Sequence, residues 1–355
     1  MKGLVLSGGK GTRLRPITHT SAKQLVPVAN KPILFYVMEN LADAGIKEVG
    51  VIVGDTADEI RAACGDGSQW GLSLTYIPQD APLGLAHAVK IAEDFLAGEP
   101  FVMYLGDNLL PGGITDLVQQ FQALKPKAMI LLTRVPDPER FGVAVLRPDG
   151  QVESLEEKPK EPRSDLALVG VYLFTNDIFK AVHAIKPSAR GELEITDAIQ
   201  WLIDSGAAVL PHLVEGWWKD TGKLEDMLEA NRIVLDGLEP SNRGEVDAES
   251  RLIGKVVIEE GAKVVRSLIR GPAIIGRGAH IEDAYIGPFT SIYFGCEIRS
   301  AEVEHSIILE NSRVVDIEGK LADSLVGKDV LVTRTRTRPH AYRLMLGDHS
   351  QVELV

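Results

Sequence analysis

The sequence divides into an α/β region, built as a doubly wound sheet, and a parallel β-solenoid behind it. Two patterns carry this division. From Met1 to about Asp236, short apolar runs alternate with amphipathic helical stretches, the arrangement of βαβ units packed into a mostly parallel sheet. From Leu252 to Val332, apolar residues recur every 17 positions in three separate registers, as in a solenoid whose coils stack equivalent side chains. A third observation agrees: 355 residues exceed the about 100–200 residues usual for one domain, so two are expected.

In order along the chain, Leu4–Leu6 reads as a first strand and Pro32–Ala44 as a helix, with Pro32 near its start and Gly45 just past its end, the usual asymmetry of helix termini. Strands at Val49–Val53 and Leu74–Ile77 flank a helix at Thr56–Ala63. Helix Gly84–Leu96, strand Phe101–Leu105, helix Ile114–Leu124 and strand Ala128–Val135 follow, and helices Ile195–Ser205 and Leu224–Leu235 close the first domain at residue 236. Residues 237–250 are polar and aperiodic, and are expected to form a linker. The solenoid is expected over 251–333: Leu252, Ile269, Ile286 and Val303 make one register. Ile258, Ile275, Ile292, Leu309 and Val326 make the second, and Val264, Ile281, Ile298, Val315 and Val332 the third, with Gly261, Gly278 and Gly295 in step. Residues 334–355 read as a tail that caps the open end of the solenoid.

Composition narrows the function classes. A formal charge of −12 opposes nonspecific nucleic-acid binding, which depends on neutralising phosphates. The one basic run, Arg334–Arg338, is read as a solvated or subunit-facing strand end. No apolar run approaches the about 18 residues that span a bilayer, and the N-terminus lacks a signal-peptide core, so a cytoplasmic protein is expected. Cys64 and Cys296 are read as two reduced thiols.

The first strand runs into Ser7-Gly8-Gly9-Lys10-Gly11-Thr12-Arg13-Leu14-Arg15-Pro16, with Lys23 and Gln24 further on. Glycines let the backbone approach an anion and turn several N–H groups toward it, while Arg and Lys neutralise it. A P-loop is excluded because no Gly-Lys in the chain precedes Ser or Thr. A dinucleotide fingerprint is weak, because Leu14 stands where its third glycine belongs and the next strand-end acid is Asp55. The run instead resembles the signature of the sugar-1-phosphate nucleotidylyltransferases: Leu6, Gly8, Gly9, Gly11, Thr12, Arg13, Pro16, Lys23, Pro27 and Pro32 all fall in that pattern. Lys23-Gln24 followed by Leu25-Val26-Pro27-Val28 is similar to the branch that transfers thymidylyl groups to glucose 1-phosphate.

The resemblance implies a Rossmann-like doubly wound mixed sheet followed by a left-handed β-helix. It implies an enzyme of deoxysugar biosynthesis that uses dTTP, glucose 1-phosphate and Mg²⁺ and works as a homo-oligomer with contacts through the β-helix. Arg13, Lys23, Asp107, Lys158 and Asp220 would be the catalytic residues, with Asp107 (in Gly106-Asp107-Asn108) and Asp220 (in Trp217-Trp218-Lys219-Asp220-Thr221-Gly222) holding the metal. Leu6, Gly8, Gly9, Gly11, Thr12, Arg13, Gln24, Gln79, Gly84 and Asp107 would contact the nucleotide, Gln79 and Gly84 meeting the pyrimidine edge. Asn108, Gly142, Glu157, Lys158, Tyr172, Arg190 and Trp218 would face the sugar phosphate. Leu83 and His87 depart from the Asp and Gln usual in shorter relatives, and discrimination of thymine from uracil rests on one methyl, about 1–3 kcal/mol. Three alternatives stand beside this reading: another nucleotide or sugar phosphate, such as UTP or N-acetylglucosamine 1-phosphate; an added acetyltransferase activity with His280 or His305 as base; or a noncatalytic sensing subunit.

Overall fold

A computed structural model describes the chain except for residues 10, 20, 111, 215–217, 222, 335–337, 339–341 and 354–355, with the backbone alone described for Lys219–Asp220. By contacts the chain forms two compact units, the first comprising Met1–Lys10, Ser21–Leu25 and Ile33–Asp220, the second Gly11–Thr20, Val26–Pro32 and Thr221–Val355.

The first unit is built on a nine-stranded mixed sheet. Its strands run in the order Val152–Glu157, Gly142–Leu146, Leu166–Phe174, Phe101–Leu105, Lys2–Ser7, Glu48–Val53 and Ser73–Pro78, with Ala128–Arg134 pairing Leu166–Phe174 and Val209–Leu213 pairing Ala128–Arg134. Lys2–Ser7 lies parallel to both of its neighbours, and Glu48–Val53 parallel to Ser73–Pro78. Leu4 and Leu6 enter one apolar cluster while Val5 enters another, as period-two alternation requires of a strand covered on both faces. Phe101, Tyr104 and Phe174 are wholly buried, each contributing about 2–3 kcal/mol by removal from water.

The expected helices are present as Ile33–Asp43, Ala57–Cys64, Thr115–Leu124, Ile195–Asp204 and Leu224–Asp236. The stretch expected as one helix from Gly84 to Leu96 is two, Leu85–Ile91 and Glu93–Leu96, which meet at Ala92. Leu166–Phe174 runs antiparallel to Phe101–Leu105, which makes the sheet mixed rather than mostly parallel.

The second unit holds a three-sided parallel β-helix of the left-handed class, with sheets of six, six and five strands. Its first coil begins inside the segment expected to be a linker, since Ser241–Asn242 pairs with Val257–Ile258 and Glu245–Val246 with Lys263–Val264. The registers hold through Leu252, Ile269, Ile286 and Val303, through Ile258, Ile275 and Ile292, and through Val264, Ile281 and Ile298. There they slip by one residue. Ile292 pairs with Ile308, not Leu309, and Ile298 with Val314, not Val315, before Val326 and Val332 restore the spacing. The corner positions slip in parallel: Gly261, Gly278 and Gly295 have φ of 72°, 67° and 68°, and the next left-handed corner is Asn311 at 57°, a residue type that tolerates this conformation. Among the described residues no helix is long and apolar enough to cross a membrane.

Candidate active site

The parallel strands end side by side, and their carboxyl ends are where open α/β sheets bind ligands. Lys2–Ser7 delivers Gly8 and Gly9, Glu48–Val53 delivers Gly54, Ser73–Pro78 delivers Gln79, and Phe101–Leu105 delivers Gly106 and Asp107. These loops pack at distances only glycine permits. A Cβ on Gly54 would stand 3.0 Å from the Gly8 carbonyl oxygen, and one on Gly106 would stand 3.0 Å from Leu6 O and 3.3 Å from Gln24 Cγ. The Gly106 N–H also donates to Leu6 O at 2.9 Å.

Beneath this rim, Lys23 is almost fully buried and its ammonium donates to Asp107 Oδ2. Burial works against ionisation of Asp107, but the Lys23 charge, its hydrogen bond and the Asn108 amide outweigh it, so the carboxyl is held below its ordinary range. Asn108 Nδ2 donates to Asp107 Oδ1 at 3.1 Å, and its Oδ1 accepts from Trp218 Nε1 at 2.7 Å and Gly170 N at 3.3 Å. The Asp220 backbone pairs antiparallel with Asn108, which sets the second expected acid opposite the neighbour of the first. Gln24 Oε1 and Ser7 Oγ are buried without a hydrogen-bond partner among the described residues, an unfavourable state that a polar ligand at this rim would relieve.

Contacts lead from here to the residues expected to face the sugar phosphate. The Trp218 ring meets Phe141 edge-on, with centroids 5.7 Å apart, and the Phe141 carbonyl accepts from Lys158 N at 2.9 Å. Lys158 has φ 44° and leaves its side chain 43% exposed, 3.6 Å from Glu157 Oε1. Glu157 pairs with Gly142 across adjacent strands, where a Cβ on Gly142 would stand 3.2 Å from Glu157 Oε2 and 2.6 Å from Thr196 Cγ2. Burial pushes the Glu157 carboxyl above its ordinary range, with Lys158 and Arg190 opposing and Glu194 reinforcing the shift. Buried Tyr172 is raised as well, first by desolvation and then by Glu157.

Arg190 stands among carboxylates. Its guanidinium reaches Glu194 Oε2 at 2.8 Å, Glu192 Oε2 at 3.2 Å and Glu157 Oε1 at 3.4 Å. Glu194 is buried and serves as the counter-ion of Arg190; though it stands at the N-terminus of the helix Ile195–Asp204, it makes no side-chain cap bond there.

Of the residues expected to meet the base, Gln79 has its Nε2 3.0 Å from His87 Nδ1 and 3.4 Å from Gly84 O. Gly84 has φ 103°, and a Cβ there would stand 2.3 Å from Leu193 O. The loop holding Gln79 is thereby locked to the segment holding Arg190 and Glu194.

A sequence model described as nucleotidyl transferase matches residues 2–237. The chain belongs to this family. A glucose-1-phosphate thymidylyltransferase of Streptomyces griseus is 57% identical over 354 residues, covering 100% of this chain and 99% of the relative. One of Streptomyces antibioticus is 59% identical over 355 residues with the same coverage. Among solved structures, a Bacillus anthracis protein assigned as a glucose-1-phosphate thymidylyltransferase, in complex with sucrose, superimposes with a TM-score of 0.62 at 38% identity, covering 66% of this chain and 94% of that one.

Of the residues expected to serve this nucleotidyl transferase, the first unit contains Leu6, Gly8, Gly9, Lys23, Gln24, Gln79, Gly84, Asp107, Asn108, Gly142, Glu157, Lys158, Tyr172, Arg190 and Trp218, with the Asp220 backbone paired to Asn108. Gly11, Thr12 and Arg13 belong to the second unit, where Thr12–Leu14 form a 3-10 turn. Trp217, Gly222, Lys10, the centre of the basic run at Thr335–Thr337, and the Lys219 and Asp220 side chains lie outside what is described. Ser7, Phe141, Glu194 and Thr196 were not singled out from sequence as site residues. Serine, phenylalanine and cap-like polar residues carry no pattern of their own. His280 faces Glu282 and His305 faces Asp323, at 3.4 and 2.5 Å, each at a different coil of the solenoid.

Proposed function

We propose that the chain transfers a thymidylyl group from dTTP to glucose 1-phosphate, giving dTDP-glucose and pyrophosphate, as a cytoplasmic enzyme of deoxysugar synthesis. The observation that carries this reading is the unbroken run of contacts from Lys23 and Asp107, through Asn108, Trp218 and Phe141, to Lys158 and Glu157. It supports a reading in which a triphosphate and a sugar phosphate bind side by side. The end-to-end likeness to the Streptomyces thymidylyltransferases supports the choice of base and sugar.

In the reaction, an anionic oxygen of glucose 1-phosphate attacks the α-phosphorus of dTTP. A P–O bond forms there, the bond to the β-phosphate oxygen breaks, and pyrophosphate leaves with that electron pair. The nucleophile is already ionised, so no protein base or covalent intermediate is needed, and catalysis is positioning and charge neutralisation. Lys23 meets the triphosphate, Arg13 the departing pyrophosphate, and Lys158 the incoming sugar phosphate. Arg190, neutralised by three carboxylates, acts mainly by holding Glu157, whose carboxylate accepts from a sugar hydroxyl. Gln79 and Gly84 meet the base.

The residues fit a divalent metal, because Asp107 is kept ionised and offers the hard oxygen donor that Mg²⁺ prefers. Asp107 and Asp220 would hold it, and Mg²⁺ would supply charge neutralisation at the phosphates. The solenoid serves association of copies, for which the exposed Leu252, Ile253 and Leu331 supply apolar surface.

Pyrophosphate release is the direct test, measured with Mg²⁺ across dTTP, UTP, GTP, CTP and ATP against glucose, mannose and N-acetylglucosamine 1-phosphates. The dTTP and glucose 1-phosphate pair should dominate, and dominance of any other pair refutes the assignment. Asp107→Asn and Lys158→Ala should each lower kcat/KM by roughly a thousandfold, as loss of several kcal/mol of charge stabilisation requires, with the melting curve of Lys158→Ala unchanged.

A further inference from the structure

We propose that His87 is a positioning residue for the choice of base: it turns the Gln79 side chain so that the amide oxygen, and not the NH2 group, is presented to the nucleotide. The inference rests on the thymidylyl-transfer reading, in which Gln79 meets the pyrimidine, and adds the feature of the pyrimidine that is read.

Both residues are set by backbone contacts within the first compact unit. Gln79 directly follows the edge strand Ser73–Pro78, and its N–H donates to Val53 O at 2.8 Å. His87 is the third residue of the helix Leu85–Ile91. The start of that helix is pinned from both sides, since Leu193 N donates to Leu83 O at 2.8 Å and Ala86 N donates to Leu193 O at 3.1 Å. Side chains in a helix lean toward its N-terminus, which turns the His87 ring back toward the loop holding Gln79.

Two acceptors fix the amide. Its nitrogen lies 3.0 Å from His87 Nδ1 and 3.4 Å from Gly84 O. Gly84 O also accepts from Ala88 N at 3.3 Å, as the carbonyl of an N-cap residue does, so it cannot rotate away. An amide turned the other way would set its oxygen against this carbonyl oxygen, two acceptors with no hydrogen between them. The amide in turn decides the histidine: Nδ1 accepts, so the ring proton sits on Nε2. Burial disfavours a second proton on His87, with Lys90 adding to the effect and Asp80 opposing it, which keeps Nδ1 an acceptor. Both amide hydrogens then have acceptors within the protein, and Oε1 is left to meet a ligand. It faces the glycine-bearing loop, where a Cβ on Gly8 would stand 3.4 Å from it.

A lone acceptor is selective. Thymine and uracil carry a hydrogen on N3 that satisfies it, whereas cytosine carries a lone pair on N3, and two acceptors would face each other. A site built for one hydrogen bond rejects an analogue that leaves its polar groups unpaired far more strongly than one that differs by a methyl group. His87 therefore acts on the choice of thymine over cytosine and leaves the choice of thymine over uracil untouched.

Pyrophosphate release with dTTP, UTP and dCTP, at saturating glucose 1-phosphate, reads the role. The wild type should favour dTTP over dCTP in kcat/KM by roughly a hundredfold. His87→Ala frees the amide and should narrow that ratio about tenfold, with the dTTP to UTP ratio and the KM for glucose 1-phosphate within about twofold of wild type. His87→Asn, whose Oδ1 can accept where Nδ1 did, should restore the ratio. Nitrogen-15 NMR of histidine-labelled enzyme without substrates reads the tautomer independently of turnover, and the signal missing in His87→Asn should be that of a ring protonated on Nε2. A wild type that favours UTP over dTTP would overturn the thymidylyl reading and leave this proposal standing, since uracil shows the same N3–H. A ring protonated on Nδ1, or an unchanged dTTP to dCTP ratio in His87→Ala, would overturn the proposal, as would equal losses for all three nucleotides accompanied by a lowered melting temperature.

Discussion

Lys23 and Asp107 make one another's burial tolerable. Removing one partner of a buried ion pair leaves a charge uncompensated, at about 3–5 kcal/mol, so Asp107→Asn should lower the melting temperature as well as the activity, whereas Lys158→Ala, at a side chain 43% exposed, should lower the activity alone. His87 acts on a smaller scale. It stands where shorter relatives have Gln, and its Nδ1 accepts from the Gln79 amide. Burial lowers its pKa below the ordinary histidine value, with Lys90 adding to the shift and Asp80 opposing it. The sign follows: above that lowered pKa the ring is neutral and Nδ1 accepts, and below it Nδ1 becomes a donor and the contact is lost. The KM for dTTP should therefore rise as pH falls below the ordinary histidine range. In His87→Gln that rise should disappear, and a pH profile identical to wild type would refute the role.

At the scale of elements, the site is made where strands end, and sequence located those ends well. Gly106-Asp107-Asn108 follows the strand Phe101–Leu105 as expected, because a continuous apolar run and its polar terminus are local features. Strand direction is not local. Leu166–Phe174 is buried along its whole length, and such a run has no alternation from which to read a partner or a direction. The same limit applied to Arg190, whose charge is legible in sequence while the three carboxylates around it are not. Gly142 shows how tightly the elements fit, since a methyl group there meets Thr196 Cγ2 and Glu157 Oε2. Gly142→Ala should raise the KM for glucose 1-phosphate by roughly tenfold, one misplaced polar contact being worth about 1.4 kcal/mol. The dTTP value should change less than twofold, and a rise in both alike would point to a general loss of packing instead.

For the molecule as a whole, two folds built on different periods meet in one chain, and each has its own core. The solenoid depends on stacking the same position coil after coil, so its one-residue slip is a structural statement with an energetic consequence. Ile308 is fully buried within the apolar stack, while Leu309 lies outside it and is 5% exposed. Ile308→Ala should destabilise the protein by about 2–5 kcal/mol, and Leu309→Ala by distinctly less. Urea unfolding of the two variants checks the register, and the reverse ranking would place Leu309 in the stack.

The sequence by itself determined both fold classes and marked the glycine-bearing motif and the charged side chains proposed to serve it, because periodicity and chemical type are properties of neighbouring residues. It could not choose between Ile308 and Leu309, or between Val314 and Val315, since adjacent apolar residues satisfy the pattern equally and only corner geometry at Asn311 decides. Nor could it tell that Gly11–Thr20 and Val26–Pro32 belong by contact with the solenoid. Asn231 Oδ1 accepts from the Ala29 N–H, yet the two residues are far apart in the chain, and whether a buried amide finds its partners is settled only when the whole chain has folded.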